Sequence, residues 1–218
     1  MTTITMIDYG GSNIRSVQKA LEYVGAQTRI TANPEDILRA EKLVLPGVGA
    51  FGAGMTALRE RGLDTAVTQA AQQNIPLLGI CLGMQFLFDE SNEMGTHKGL
   101  GLIPGQVTRF PEKSPMALNA PASRTANRQS LKIPHMGWNQ IEHGETHPLL
   151  ASIPSGSYAY FVHSYYCLPA NPDDGLAFTD YGLRFTSIVG HGRIFGIQFH
   201  PEKSQQVGLR ILQNFVNM

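Results

Sequence analysis

Apolar residues in the first half of the chain fall into two kinds of segment, which predict strands alternating with helices. Short, nearly unbroken apolar runs such as Ile75–Ile80 are typical of parallel strands covered on both faces. Apolar residues at helical spacing, as in Ser12–Val24, predict amphipathic helices. The predicted order is strand Thr3–Asp8, helix Ser12–Val24, strands Gln27–Thr31 and Lys42–Leu45, helix Met55–Gln72, strand Ile75–Ile80 and helix Leu82–Asp89. This alternation favours an α/β fold with a central, mostly parallel sheet flanked by helices.

The second half carries more strand patterns, separated by turn signals such as Asn171-Pro172-Asp173-Asp174-Gly175. We expect antiparallel strands here, followed by a closing helix, Gln206–Val216. The predicted strands are Leu102–Phe110, Pro134–Glu142, Tyr158–Phe161, Tyr165–Leu168, Leu183–Val189 and Arg193–His200. Glu112–Ser130 has no periodicity and is rich in Ser, Ala, Asn, Pro and Arg, so we interpret it as a surface insertion.

Length and charge narrow the class of protein. A chain of 218 residues with 42% hydrophobic content suffices for one domain spanning 1–218. The 17 basic and 17 acidic residues cancel, so no basic field favours nucleic acid. Met1–Gly10 lacks the pattern of a signal peptide, and the longest apolar stretch, Ile75–Phe88, is too short and interrupted to cross a bilayer. We therefore expect a cytoplasmic protein without nucleic-acid or membrane partners.

Cys81 lies in a motif that predicts a nucleophile at a sharp turn. Gly79-Ile80-Cys81-Leu82-Gly83 follows an apolar strand and opens a predicted helix, which matches the nucleophile elbow. Such a turn presents the thiol at the carboxyl end of the sheet and at a helix N-terminus, where the helix dipole favours the thiolate. The amide of Leu82 would point at a developing oxyanion. The alternative is a buried structural cysteine at a tight turn.

The other cysteine, Cys167, has neither a glycine turn nor a basic neighbour, so we expect it to serve packing. Two cysteines are too few for a disulfide scaffold, and no CxxC pair indicates a zinc site. The histidines and carboxylates likewise show no metal-ligand spacing. The sequence therefore predicts no metal and no cofactor.

A nucleophilic thiol requires a base, and the base requires an orienting group. Among seven histidines, only His200 has a carboxylate at a productive local spacing, in His200-Pro201-Glu202. In an extended segment residues i and i+2 point to the same side, and Pro201 restricts this backbone. Glu202 would hold one imidazole nitrogen while the other faces Cys81.

The turn Pro46-Gly47-Val48-Gly49 ends the third predicted strand. In a parallel sheet it would lie at the same edge as Cys81, and its amides could supply a second oxyanion donor. A plain strand-to-helix connection is the alternative interpretation.

Four motifs together resemble one family. Gly79–Gln85, Phe199–Ser204, Pro134–Asn139 and Tyr160–Tyr165 are similar to those of the class I, triad-type glutamine amidotransferases. Within that family the last two motifs resemble the glutaminase subunits of imidazole glycerol phosphate synthases. The resemblance runs from the first strand to the last helix.

The resemblance implies an activity, a partner and a role for each matching residue. It implies hydrolysis of L-glutamine through a cysteinyl thioester, with ammonia passed to a barrel-type cyclase in a heterodimer and with no cofactor. The implied triad is Cys81, His200 and Glu202, and the implied oxyanion donors are Leu82, Val48 and Gly49. Gln85, Glu93, Ser164 and Tyr165 match substrate-binding positions, and Trp138 and Asn13 match the partner interface. The family's oxyanion strand is also implied to rearrange when the partner is ready.

Two departures and three alternatives accompany this resemblance. The family's first turn reads Asp-Tyr-Gly-x-Gly-Asn, whereas Ser12 replaces the second glycine here, and Glu112–Ser130 looks like an insertion. The chain could instead serve another synthase, for pyridoxal phosphate, anthranilate or guanylate. It could also be a different cysteine hydrolase, or a subunit without catalytic activity.

Overall fold

The computed structural model describes residues 2–11, 13–112, 130–144 and 147–218. The strands are β1 (Thr3–Ile7), β2 (Gln27–Thr31), β3 (Lys42–Gly47), β4 (Leu77–Cys81), β5 (Phe88–Ser91), β6 (His97–Lys98), β7 (Ile103–Arg109), β8 (His135–Ile141), β9 (Ser157–His163), β10 (Tyr165–Pro169), β11 (Gly175–Asp180), β12 (Arg184–His191) and β13 (Ile194–Ile197). The helices are α1 (Ile14–Tyr23), α2 (Pro34–Leu38), α3 (Phe51–Glu60), α4 (Leu63–Gln72), α5 (Leu82–Phe86) and α6 (Gln205–Asn217). Short 3₁₀ helices cover Pro148–Leu150, Pro172–Asp174 and Pro201–Lys203.

Eleven of these strands form one sheet in the order β2-β1-β3-β4-β13-β12-β10-β7-β5-β6, with β11 paired to β12. Strands β2, β1, β3, β4 and β13 are parallel. Beyond β13, strands β12, β10 and β7 pair in antiparallel fashion. Strands β8 and β9 form a separate antiparallel ribbon. The predicted α/β fold, with its parallel core and antiparallel second half, is confirmed.

Helices cover both faces of the parallel strands. In β3, Val44 faces the layer that contains α1 and α6, whereas Leu43 and Leu45 face α2, α3 and α4. Because successive side chains of a strand point to opposite faces, burial on both sides requires a continuous apolar run. This explains why the inner parallel strands β3 and β4 could be predicted from such runs. No helix in the described ranges is long and apolar enough to span a membrane.

Two predicted helices were wrong in extent. Met55–Gln72 is two helices, α3 and α4, because Gly62 adopts a left-handed conformation (φ 65°) between them. The predicted helix Leu82–Asp89 ends at Phe86, and Phe88–Ser91 is strand β5, which pairs with β6 and β7. Tertiary pairing at the sheet therefore overrides a local pattern that also fits a helix.

Helix α2 and strands β5, β6 and β11 were not predicted. Helix α2 did have a signal, since Asn33 accepts a hydrogen bond from the amide of Glu35 and Pro34 occupies the first turn. Of the predicted insertion Glu112–Ser130, residues 113–129 lie outside the described residues, as does Ser12.

Candidate active site

Cys81 sits at the junction of β4 and α5, in a backbone conformation that is rare for a residue with a side chain. Its φ is 55° and its ψ is −110°. The turn is tight enough that a Cβ on Gly83 would collide with the Leu45 carbonyl of the adjacent strand β3, and one on Gly79 would collide with the backbone of α5. Residues with side chains persist in such conformations where the surrounding packing enforces them, and they cluster at functional sites.

His200 follows β13, the neighbour of β4, and it reaches Cys81 and Glu202 at once. Its Nδ1 lies 2.9 Å from Oε1 of Glu202, and it is hydrogen bonded to Cys81. Both side chains are buried, with 6% of His200 and 4% of Glu202 exposed. The predicted pairing within His200-Pro201-Glu202 is present, but the predicted extended backbone is wrong. Strand β13 ends at Ile197, and Glu202 reaches back from a 3₁₀ turn.

His200 and Glu202 form a charged pair beside Cys81. Burial alone would lower the pKa of His200, but its hydrogen bonds to Cys81 and Glu202 outweigh burial and raise the pKa to about 10. Burial alone would raise the pKa of Glu202, but the hydrogen bond and the attraction from His200 lower it overall. At neutral pH the pair is therefore imidazolium and carboxylate, with the cation facing the Cys81 sulfur.

Cys81 and His200 border a cavity of about 620 Å³, a size suited to a small-molecule ligand. Ten of the twelve residues singled out from the sequence line it; they are Asn13, Val48, Gly49, Cys81, Leu82, Gln85, Glu93, Ser164, Tyr165 and His200. Glu202 lies behind His200, and Trp138 lies elsewhere. The lining also includes Pro134, Val162, His163 and Lys203.

Comparison with known proteins shows the family of the chain. The family model described as Glutamine amidotransferase class-I matches residues 5–218. The chain belongs to the class I glutamine amidotransferase family. An imidazole glycerol phosphate synthase subunit HisH from Methylococcus capsulatus is 47% identical, covering 99% of this chain and 96% of its own length. The HisH of Syntrophotalea carbinolica is 46% identical, covering 99% of this chain and 100% of its own length. A solved structure described as a glutamine amidotransferase shares the fold, with a TM-score of 0.71 at 16% identity over 99% of both chains.

Two backbone amides of this amidotransferase, those of Leu82 and Val48, belong to segments next to Cys81. Leu82 opens α5 directly after Cys81, and Val48 follows β3, whose last residue, Gly47, pairs with Cys81. Burial raises the pKa of the nearby Tyr9 phenol, and the backbone of Val48 opposes this rise to a smaller extent.

Gln85 and Glu93 hold parts of the cavity wall together. Gln85 Nε2 donates to the Tyr165 carbonyl and to Oε1 of Gln198, each at 3.2 Å. Glu93 Oε2 accepts from the backbone N of Phe51 at 2.5 Å, which places its carboxylate at the N-terminus of α3. Both residues thus face the cavity while fixing the elements around it.

Two contacts were not anticipated from the sequence. Asn13, expected at the partner interface, donates Nδ2 to Oε1 of Glu202 at 2.7 Å. Gln198 is fully buried, and its Nε2 lies 3.8 Å from the Cys81 sulfur. A signal for Gln198 existed, because it is a lone polar residue in the apolar run Ile194–Phe199. No local pattern indicates the contact of Asn13.

Trp138 lies on β8, outside the cavity, with its ring 5.9 Å from that of Tyr160 on β9. It is 47% exposed, and Met136 and Tyr158 on the same ribbon are more exposed still. Met136, Trp138 and Tyr158 form the exposed apolar patch of the ribbon. Clustered exposed apolar side chains are typical of interaction surfaces.

Proposed function

We propose that the chain is the glutaminase subunit of an imidazole glycerol phosphate synthase in histidine biosynthesis. One observation carries the chemistry: the His200–Glu202 pair abuts Cys81 at an elbow inside a cavity sized for an amino acid. The identity of 46–47% over nearly the whole length of two HisH subunits supports the assignment to this synthase. Residues 1–218 then act as one amidotransferase domain in the cytoplasm.

The reaction begins with the Cys81 thiolate, which attacks the side-chain amide carbon of L-glutamine. A C–S bond forms, and the oxyanion accepts hydrogen bonds from the amide of Leu82 and from the Val48–Gly49 turn. The His200 imidazolium protonates the amide nitrogen, the C–N bond breaks, and ammonia leaves a γ-glutamyl thioester on Cys81. Neutral His200 then takes a proton from water, whose oxygen bonds to the thioester carbon. The C–S bond breaks, which releases glutamate and returns Cys81 to the thiolate and His200 to the imidazolium. Glu202 keeps the imidazole oriented throughout.

The cavity offers groups for the rest of the amino acid. The Glu93 carboxylate suits the substrate ammonium, and Gln85 and the Ser164–Tyr165 backbone suit its remaining polar atoms. The released ammonia passes to a barrel-type cyclase, which makes imidazole glycerol phosphate and aminoimidazole carboxamide ribotide. The exposed apolar patch of the ribbon and Asn13 are the proposed contacts with this cyclase.

The deciding experiment measures glutamate release from glutamine by the chain alone and with the cyclase and its ribulosyl ligand. We expect strong release only in the mixture, its loss in Cys81→Ala, and its retention in Cys167→Ala, whose thiol is buried away from the cavity. Release that survives Cys81→Ala would refute the mechanism. Activation by the synthase subunit for pyridoxal phosphate, anthranilate or guanylate, but not by the cyclase, would reassign the partner.

The proposed interface has its own measurement, because Trp138 is the sole tryptophan. A chain labelled with fluorotryptophan gives one ¹⁹F resonance, which we expect to shift when cyclase is added. An Arg39→Ala chain, altered at the exposed C-terminus of α2, should show the same shift. A resonance unmoved at saturating cyclase would place the interface elsewhere.

A further inference from the structure

Two buried histidines beside the cavity form a hydrogen-bonded chain. His135 on β8 and His163 on β9 are directly paired in the ribbon, and His135 Nδ1 lies 3.0 Å from His163 Nε2. At one end His163 Nδ1 lies 2.7 Å from the Tyr165 carbonyl. At the other end Asn139 Nδ2 lies 3.2 Å from His135 Nε2.

Donor and acceptor rules fix the ring proton of each imidazole in this hydrogen-bonded chain. A carbonyl only accepts, so His163 carries its proton on Nδ1 and, when neutral, accepts on Nε2. His135 must then donate from Nδ1, which leaves its Nε2 to accept from the amide of Asn139. The second hydrogen of that amide goes to the Asp180 carbonyl at 2.9 Å. Both rings are therefore Nδ1-protonated, and each imidazole donates in the direction of Tyr165.

The surroundings keep both rings neutral. His135 stacks between Tyr181 and Phe161, with centroid distances of 4.0 and 4.8 Å. Burial lowers the pKa of His135 to about 4. Burial also lowers the pKa of His163 to about 3, with a smaller lowering from His135 and His200 that the Tyr165 carbonyl opposes. The direction of the chain is thus fixed throughout the physiological pH range.

The chain ends on a group that shapes the cavity. The Tyr165 carbonyl accepts from both His163 and Gln85, which clamps it between the ribbon and α5. His163, Ser164, Tyr165 and Gln85 all line the cavity beside Cys81. A carbonyl held by two donors from different elements fixes the path of the backbone that precedes it.

We infer that His135 and His163 are positioning residues that set the Ser164–Tyr165 backbone for glutamine binding. This role rests on the proposed function, because it presupposes that glutamine occupies the cavity. It assigns to the two imidazoles a task separate from that of His200, which is charged and acts on the reacting atoms. If the hydrogen bonds of His135 and His163 are removed, we expect weaker glutamine binding and little change in the rate of the chemical step.

The proton assignment is tested without any activity. In the full chain labelled with ¹⁵N-histidine, long-range ¹H–¹⁵N spectra report which ring nitrogen carries the proton. We expect two histidines with Nδ1 protonated and no titration between pH 5.5 and 8, and His135→Phe and His163→Phe assign them. A ring protonated only on Nε2 at either position, or a ring that titrates near pH 6.5, would contradict the proton assignment of the hydrogen-bonded chain.

The positioning role is tested by glutamine affinity. His163→Phe keeps a ring but removes the donor to Tyr165, whereas His163→Asn retains a donor near the position of Nδ1. In the complex with cyclase, we expect His163→Phe to raise the KM for glutamine about tenfold with kcat within about twofold, and His163→Asn to recover much of the affinity. Lower thermal stability with unchanged KM would show a structural role only.

Calorimetric titration of glutamine into the Cys81→Ala complex distinguishes a failure of the positioning role from a failure of the proposed function. No binding to Cys81→Ala would sink the proposed function itself. Binding that is equally tight with and without His163→Phe would sink only the positioning role. Weakened binding in the double variant supports both.

Discussion

Asn13 donates its side-chain amide to Glu202 across 189 positions of sequence, with an Nδ2–Oε1 distance of 2.7 Å. The same oxygen accepts from Nδ1 of His200, so the two donors share one carboxylate oxygen. Asn13 precedes α1 with a φ of 76°, a conformation that asparagine, aspartate and glycine tolerate best. The Glu202 carboxylate is therefore oriented from both ends of the chain.

Replacing Asn13 should slow catalysis more than it weakens substrate binding. Asn13→Gly removes the amide without straining the backbone, and a hydrogen bond to a charged group contributes about 1.5–3 kcal/mol. We expect kcat to fall by about tenfold or more, with KM nearly unchanged, in steady-state glutaminase assays with the partner. Asn13→Asp, which keeps the shape but repels Glu202, should be slower still. Equal kcat in Asn13→Gly and the wild type would contradict this role.

The raised pKa of His200 predicts a pH-dependent contribution to stability. A group whose pKa is higher in the folded state stabilises the fold fully below its unfolded pKa, about 6.5 for histidine, and loses that contribution as the pH rises through the folded pKa. With a folded pKa of about 10, the contribution of His200 should be complete near pH 6 and fade towards pH 10. Urea unfolding of wild type and His200→Asn at pH 6, 8 and 10 measures it. A difference that stays constant across this range would contradict the assigned pair.

Adding one methyl group at Gly83 should destabilise the fold. Its Cβ would meet the backbone carbonyl of Leu45, which cannot move aside without displacing β3. Overpacking of this kind costs about 1–3 kcal/mol. We expect a loss of that size in the free energy of unfolding of Gly83→Ala, measured by urea titration. Gly144→Ala is the control, because a Cβ there meets nothing within 4 Å, and it should be nearly neutral.

Replacing Lys42 should lower stability for a purely structural reason. Its buried Nζ donates to the Phe215 and Val216 carbonyls at 3.0 and 2.8 Å, at the end of α6. Lys42→Met leaves these two carbonyls unpaired, at a cost of about 1–3 kcal/mol for a buried group. Thermal unfolding should detect the loss, while the exposed replacement Lys19→Met should change stability by less than about 0.5 kcal/mol. Identical melting of the two variants would refute the role.

Patterns of neighbouring residues predicted the inner parallel strands and the elbow at Cys81. Strand β2 matches its predicted bounds, although only Thr31 in it is buried. Strands β3 and β4 differ from their predicted bounds by one or two residues, because burial on both faces requires a continuous apolar run. The elbow at Cys81 was found for a similar reason, since its glycines are required by close backbone approach. Strand β5 was missed because its pairing with β7 is decided only in the folded sheet.

The rest of the site depends on contacts between distant segments. The spacing of His200 and Glu202 indicated their pairing, but that Asn13 would complete it could not be read from either segment. The hydrogen-bonded chain likewise requires β8 and β9 to be in register, which places His135 opposite His163. The substrate-binding residues came from the family resemblance, and their contacts with Tyr165 and Phe51 emerged only from the structure.

The crowding at Gly79 and Gly83 also makes these two positions unsuitable for protein engineering. Random substitutions at these two positions remove members of a library through misfolding, before their catalysis can be selected. Positions whose side chains line the cavity, such as Val162 and Lys203, lack this constraint and can vary in size and charge. A search for altered amide selectivity should therefore concentrate its diversity on the walls contributed by β9 and the turn after His200, and leave the elbow untouched.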